Sequence, residues 1–129
     1  MKTLVSVIVN CFNGSKYLNR CIDSILNQTY QNFEIVFWDN NSTDNSLEIV
    51  KRYDKKNIIV YKNPNETLKL YAARNQAIKL SNGKLISFLD TDDYWLPTKL
   101  EKQIDILNNQ KTKFVYSNYW IDEKEKKYL

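Results

Sequence analysis

The sequence predicts a three-layer α/β fold, in which helices cover both faces of a mainly parallel central sheet. Short apolar runs with strand character alternate along the chain with longer segments whose apolar residues recur at helical spacing. Connections of this length hold crossover helices, which join parallel strands with right-handed geometry. With 129 residues, 43% of them hydrophobic and 26% charged, the chain suits one globular domain spanning residues 1–129.

The first half of the chain contains three predicted strands and two predicted helices. The strands are short apolar runs at residues 4–9, 33–38 and 58–61. The first helix begins after Ser15 and has a continuous apolar face. The second follows a polar turn at residues 39–42, and Ser42 or Thr43 can cap it.

The second half continues the same alternation. A helix is predicted over residues 67–80 and a fourth strand over residues 85–89. Pro97 occupies the first turn of a further helix, a position that proline tolerates. A last strand is predicted over residues 114–119.

Composition excludes several classes of function. The net charge of +4 is modest, and the lysine-rich segment 124–127 favours a solvated tail, or weak attraction to anionic lipid or phosphate, over a nucleic-acid groove. With no histidine, a zinc site and Ser-His-Asp or Cys-His catalysis are essentially excluded. We interpret Cys11 and Cys21 as buried small hydrophobic residues rather than a disulfide.

No apolar stretch reaches the roughly 20 residues of a membrane span, and the N-terminus lacks a signal-peptide pattern. We therefore expect a cytoplasmic protein, with peripheral association at the inner face of the membrane left open.

Three carboxylates, those of Asp90, Asp92 and Asp93, crowd the end of the fourth predicted strand. Carboxylates this close repel one another unless a cation lies between them, and Mg²⁺ and Mn²⁺ favour oxygen ligands shared with substrate phosphates. The pattern indicates a metal held for a phosphate-bearing ligand. The alternative is an acidic turn or helix cap.

Polar residues also follow the first and second predicted strands, at residues 10–13 and 39–42. Ligands of parallel sheets bind beyond the carboxyl ends of the strands, so we expect these loops and the acidic loop to form one crevice. The chain has only two glycines, and neither a dinucleotide glycine motif nor a phosphate loop is present. Metal and cationic side chains must therefore contact any phosphates.

Four ordered segments together resemble family 2 of the nucleotide-sugar glycosyltransferases. The last of them, Asp-x-Asp-Asp-x-Trp-x-Pro-x-Lys-Leu, is the most specific. The four segments are residues 5–13, 34–44, 72–75 and 89–100. The resemblance implies a Rossmann-like fold of the glycosyltransferase A type and metal-assisted, inverting transfer of a sugar from a nucleotide sugar to a saccharide or lipid-linked acceptor. It implies Mn²⁺ or Mg²⁺ as cofactor.

The resemblance also assigns roles to single residues. Asp39 would accept a hydrogen bond from the imide N–H of uracil, which favours UDP over CDP; its other interpretation is a cap of the following turn. Phe12 would pack on the base or else belong to the core, and Arg74 would reach the base or the diphosphate or else be solvated. The implied nucleotide-sugar contacts are Asn10, Phe12, Asn13, Asp39, Arg74, Asp90, Thr91 and Asp92, and the implied metal ligands are Asp92 and Asp90.

Other positions of the motif have supporting roles. Asp93 would support the site or the acceptor side, Trp95 and Pro97 would orient the following helix, and Lys99 is expected to be solvated. Asn41 stands where the family pattern has glycine, and asparagine tolerates the left-handed backbone that such a turn needs.

The catalytic base is not identified. In this family it lies beyond the donor half, so we expect it beyond Leu129, with Asp122 and Glu123 as weaker candidates. We expect the chain to be the donor half of a longer enzyme, truncated at its C-terminus, and its open edge to favour self-association. The alternative function is a nucleotide-sugar-binding module that is non-catalytic or depends on a partner.

Overall fold

The structure is a computed structural model that describes residues 2–53, 55–110, 112–119 and 121. Four strands alternate with four helices along this part of the chain. In order they are β1 (Val5–Cys11), α1 (Ser15–Leu26), β2 (Phe33–Asp39), α2 (Ser46–Lys51), β3 (Ile58–Lys62), α3 (Leu70–Lys79), β4 (Leu85–Phe88) and α4 (Lys99–Gln110).

The strands form one parallel sheet in the order β3-β2-β1-β4. The central strands β1 and β2 are almost wholly buried, because helices cover both faces and leave no polar side to the pleat. The predicted mainly parallel α/β fold is confirmed.

Two apolar clusters lie on opposite faces of the sheet and make it the middle of three layers. The larger joins α1, α2 and α4 to alternate residues of β1 and β2. The smaller packs α3 on the other face, through Ala73 and Ala77 against Ile8, Val36 and Trp38. The small alanine side chains let α3 lie close to the ends of β1 and β2.

The strand predicted at residues 114–119 is wrong, because the structure gives these residues no regular structure. Phe114 and Tyr116 are 74% and 83% exposed. Alternating aromatic residues resemble a strand in sequence, but a strand requires a partner for its backbone hydrogen bonds, and no described strand pairs with this segment.

Helix α2 begins at Ser46, later than the caps proposed at Ser42 and Thr43. Those two residues bond instead to Asn13 in the loop after β1. The prediction for Asn41 is confirmed, since its φ of 65° lies in the left-handed region.

Candidate functional site

The loops that follow β1 and β2 are tied together by the side chain of Asn13. Its Oδ1 accepts hydrogen bonds from the backbone N–H groups of Thr43 at 2.7 Å and Asp44 at 3.3 Å. The backbone N–H of Asn13 donates to Ser42 Oγ at 3.0 Å. Asn13 adopts a φ of 53°, which turns the chain for these contacts. The structure therefore gives Asn13 an organising role, and its contact with nucleotide stays a prediction.

The carboxylate of Asp44 caps helix α1 from the neighbouring loop. The helix begins after Gly14, which has no side chain to cap it, and Asp44 Oδ2 accepts from the N–H of Ser15 at 2.9 Å. Asp44 Oδ1 accepts from the Ser46 hydroxyl at 2.6 Å. Burial alone would raise the pKa of Asp44, but the hydrogen bonds from Ser46 and Ser15 outweigh it and lower the pKa to about 2.

Asp39 ends β2 and is fully buried. Its Oδ1 accepts a 3.3 Å hydrogen bond from the N–H of Ser42, as the turn-capping interpretation expects. Its Oδ2 is buried without a hydrogen-bond partner. One carboxylate oxygen is thus engaged by the turn, while the other is an acceptor that the described residues leave free.

Asn10 and Phe12 flank the end of β1. Both side-chain amide atoms of Asn10 are buried without a hydrogen-bond partner. The Phe12 side chain is 54% exposed, so it does not belong to the core. An exposed aromatic ring beside unpartnered polar atoms suits a planar ligand that stacks on one side and forms hydrogen bonds at its edge.

Arg74 on α3 reaches the acidic loop after β4. Its Nη2 lies 2.5 Å from Asp90 Oδ1, and its guanidinium carbon lies 5.4 Å from the centre of the Phe88 ring. Both partners are partly exposed, at 32% for the Arg74 side chain and 48% for that of Asp90. Arg74 is therefore held towards the site rather than solvated on its helix, with its charge available to an anionic ligand.

The acidic loop, residues 90–98 between β4 and α4, carries three carboxylates whose charges influence one another. The Asp92 side chain is exposed, and its backbone carbonyl accepts a 3.2 Å hydrogen bond from Arg20 Nη2. Burial raises the pKa of Asp93, and the charges of Asp92 and Asp90 raise it further, against an opposing effect of Arg20. The loop is thus a region of concentrated negative potential.

The acidic loop is fastened to the end of α1 by Gln28, which sequence analysis missed. Gln28 is 1% exposed; its Nε2 donates to the carbonyl of Leu96 at 2.8 Å, and its Oε1 accepts from the N–H of Leu100 at 3.0 Å. The N–H of Thr29 donates to the Pro97 carbonyl at 2.8 Å. The sequence carried a signal, since Gln28 lies three residues after Ile25 and so continues the buried face of α1.

The start of the acidic loop packs on the start of α1. A Cβ atom added to Gly14 would lie only 3.0 Å from Thr91 Oγ1, so the two segments are in close contact. Thr91, predicted to contact nucleotide sugar, therefore lies beside the loop that follows β1.

Lys99 is not solvated, contrary to the expectation from sequence. Its Nζ donates to Ser87 Oγ at 2.9 Å and lies 3.6 Å from the centre of the Trp95 ring. Burial lowers the pKa of Lys99 to about 8. Lys99 thus contacts the ring of Trp95, which packs against the larger core cluster.

The cysteine prediction is confirmed, because Cys11 and Cys21 are both buried and free. Cys21 Sγ lies 3.7 Å from the Asp90 carbonyl oxygen, and burial raises the pKa of Cys21 to about 12. Among the described helices, none is long and apolar enough to cross a membrane.

A cleft of about 1280 Å³ opens beside the acidic loop. Its lining includes Asp90, Asp92 and Asp93, the cations Arg20 and Arg74, and exposed apolar side chains from α4, residues 115–119 and Ile121. Within the described ranges, no three His, Cys, Asp or Glu side chains are grouped so as to hold a metal by themselves.

Polar loops at the carboxyl ends of parallel strands mark the edge at which α/β proteins of this architecture bind their ligands. The chain belongs to glycosyl transferase family 2, whose model matches residues 6–128. The fold is the glycosyltransferase A type of its structural neighbours, with their parallel sheet and alternating helices.

Two relatives illustrate the family. The chain is 40% identical over 120 residues to the UDP-Glc:alpha-D-GlcNAc-diphosphoundecaprenol beta-1,3-glucosyltransferase WfaP of Escherichia coli, covering 93% of this chain and 47% of the relative. It is 33% identical to the putative teichuronic acid biosynthesis glycosyltransferase TuaG of Bacillus subtilis, covering 92% of this chain and again 47% of the relative. The chain thus spans about half the length of these curated relatives.

Two solved structures have the same fold as this chain. Residues 1–349 of S. aureus TarS in complex with UDP-GlcNAc superpose with a TM-score of 0.76 at 32% identity, covering 81% of this chain and 31% of that one. The mannosyltransferase PcManGT of Pyrobaculum calidifontis, solved with GDP-Man and Mn²⁺, has a TM-score of 0.76 at 23% identity and covers 84% of this chain and 33% of its own. The second likeness is one of fold.

Proposed function

We propose that this chain is the donor-binding part of a glycosyltransferase that moves a sugar from a nucleotide-diphosphate sugar, with UDP favoured, to an acceptor hydroxyl. The observation that carries the proposal is the free, buried Oδ2 of Asp39 at the end of β2, on the same edge of the sheet as the carboxylates of the acidic loop. The Asp39 oxygen is an acceptor for the base of a nucleoside diphosphate, and the carboxylates of the acidic loop are a metal-binding group for its phosphates.

At the base end, Phe12 stacks on the ring and Asp39 accepts from the imide N–H. The exposure of Phe12 and the burial of Asp39 support this pairing, since stacking needs an accessible face and a hydrogen bond is most selective where water is excluded. Arg74 contacts the base or the diphosphate. Its ion pair with Asp90 supports this role, because it holds the guanidinium beside the acidic loop.

At the phosphate end, we propose Asp92 and Asp90 as ligands of Mg²⁺ or Mn²⁺. The residues fit such an ion, because their carboxylate oxygens are hard donors. The pKa of the adjacent Asp93 is raised by burial and then by the charges of Asp92 and Asp90, and a cation would relieve that repulsion. Mg²⁺ is typically held by one or two carboxylates together with substrate phosphates, so the diphosphate would complete the site. A bound cation would neutralise charge on the leaving diphosphate.

Inverting transfer needs a base that takes the acceptor proton as the hydroxyl attacks the anomeric carbon opposite the diphosphate. No described residue is assigned that role. Asp122 and Glu123 lie outside the described residues, and Asp93 serves as support beside the cleft. A saccharide or lipid-linked acceptor is favoured by the E. coli relative, whose name specifies a sugar on diphosphoundecaprenol.

Isothermal titration of UDP with and without Mn²⁺ tests the proposal. We expect Mn²⁺ to raise UDP affinity by roughly tenfold or more, about 1.4 kcal/mol, because the cation screens the diphosphate from the carboxylates. Asp92→Asn should lose most of that increase, whereas Asp105→Asn, an exposed position on α4, should keep it. Equal metal dependence in the Asp92 variant and the parent would refute the assignment.

The alternative is a module that binds nucleotide sugar without transferring the sugar. A kinetic assay with UDP-sugars and a panel of saccharide and lipid-linked acceptors separates the two functions. We expect residues 1–129 to bind donor but to transfer slowly, because no described residue is assigned as the general base and such a base typically contributes roughly 10²–10⁴ in rate. Multiple-turnover transfer by this chain would contradict the binding-module alternative.

A further inference from the structure

Arg20 extends from helix α1 to the acidic loop, and no motif in the sequence marks it. Its Nη2 donates to the backbone carbonyl of Asp92 at 3.2 Å. Its guanidinium carbon lies 4.6 Å from the centre of the Tyr94 ring and 5.7 Å from the centre of the Tyr17 ring. One hydrogen bond and two aromatic rings thus restrain the orientation of this guanidinium.

Arg20 and Arg74 contact the acidic loop from helices that cover opposite faces of the sheet. Helix α1 packs in the larger apolar cluster and α3 in the smaller one. Arg74 pairs with the side chain of Asp90, whereas Arg20 bonds to the main chain at Asp92. Because Arg20 uses the carbonyl of Asp92, this contact does not occupy the Asp92 carboxylate.

The middle of the acidic loop needs such restraint. Asp92, Asp93 and Tyr94 are all exposed, so burial alone does not order them. A ligand side chain supports a metal ion only if its backbone is held in place, because a displacement of about 0.5 Å already weakens a binding constellation. A hydrogen bond at the Asp92 carbonyl and a ring contact at Tyr94 supply that restraint on both sides of Asp93.

We propose that Arg20 is a positioning residue that holds Asp92 in place for the divalent cation, acting through the Asp92 carbonyl and the Tyr94 ring. This proposal rests on the proposed function, which assigns the cation to Asp92 and Asp90. The charge of Arg20 repels a metal ion, so charge alone predicts tighter metal binding when Arg20 is removed. Positioning predicts weaker binding, and the two effects therefore differ in sign.

The test is isothermal titration of UDP with and without Mn²⁺ on Arg20→Met and Arg20→Lys. Methionine keeps an unbranched apolar stem but removes the charge and the donors. We expect Arg20→Met to reduce the Mn²⁺-dependent increase in UDP affinity about 3- to 10-fold, the range for one lost hydrogen bond. UDP affinity without Mn²⁺ should change much less. Arg20→Lys keeps a donor and a cation, so it should recover part of the loss.

Tyr94→Leu tests the route of the effect. If Arg20 acts through this ring, the double variant should lose less than the sum of the two single losses. Arg52→Met is the matched control, because Arg52 is an exposed residue that follows α2 and is not among the residues lining the cleft. It should keep the full Mn²⁺-dependent increase.

Three results would overturn the proposal. They are an unchanged or larger Mn²⁺-dependent increase in Arg20→Met, an equal loss of UDP affinity with and without Mn²⁺, and additive losses in the double variant. The second result would mean that Arg20 contacts the diphosphate itself. A parent chain whose UDP affinity does not respond to Mn²⁺ would instead refute the proposed function. Urea midpoints of the variants close to that of the parent would show that the loss does not reflect unfolding.

Discussion

The two carboxylate oxygens of Asp39 have different environments. Oδ1 holds the N–H of Ser42, and Oδ2 is buried and unpartnered. The bond to Ser42 fixes the carboxylate plane, so the free oxygen is oriented before any ligand binds. Preorganisation of this kind makes a single hydrogen bond selective, because a ligand without the matching donor leaves Oδ2 unsatisfied.

We predict that Asp39→Asn narrows the preference for UDP over CDP. The parent should favour UDP by ~1–3 kcal/mol, since only uracil offers an imide N–H to the buried oxygen. The asparagine amide can present a donor instead, which suits the unprotonated ring nitrogen of cytosine. Titration of both nucleotides with Mn²⁺ measures the gap, and a parent that binds UDP and CDP equally would show that Asp39 does not read the base.

At the scale of elements, helix α1 organises the site from both of its ends. Its first turn receives Asp44 from the loop after β2, and its last turn is followed by Gln28 and Thr29, which hold the acidic loop. The loop after β2 and the acidic loop are therefore both anchored to helix α1. A change at either end of α1 should alter ligand binding without contacting the ligand.

Gln28→Met should lower the free energy of unfolding by roughly 1–3 kcal/mol, because methionine has a similar shape but leaves the buried Leu100 N–H unpaired and removes the hydrogen bond to the Leu96 carbonyl. The Mn²⁺-dependent part of UDP affinity should fall as well, since the acidic loop loses its anchor. Urea denaturation and titration give the two quantities. Gln110→Met, at the exposed end of α4, is the control, and equal stability of the two variants would contradict the anchoring role.

The capping role of Asp44 predicts a dependence of stability on pH. Its folded-state pKa of about 2 lies below the ordinary value of 3.8, so its contribution is fully present above the ordinary value and is lost as the pH falls towards 2. Asp44→Asn cannot titrate. We expect the urea midpoint of the parent to fall more steeply than that of the variant between pH 4 and about 2, and parallel curves would disprove the cap.

At the scale of the whole molecule, sequence patterns predicted the sheet and its helices because their apolar periodicity reflects burial directly. They also located Asp39, Arg74 and Asp90 at strand ends and on α3. They could not show that Arg74 pairs with Asp90 or that Lys99 donates to Ser87, because each of these contacts joins two different elements of the fold. The strand predicted at residues 114–119 failed for the same reason, since strand formation depends on a partner that local pattern does not contain.

The central claim is that one nucleoside diphosphate lies along the carboxyl ends of the strands, with its base at Asp39 and its phosphates at Asp92. Crystals grown with UDP and Mn²⁺, measured for anomalous scattering from manganese, test it most directly. We predict a single manganese peak about 2 Å from a carboxylate oxygen of Asp92 and from a diphosphate oxygen, with the base beside Asp39 Oδ2. Bound UDP with manganese absent from the acidic loop, or with its base away from Asp39, would contradict the account.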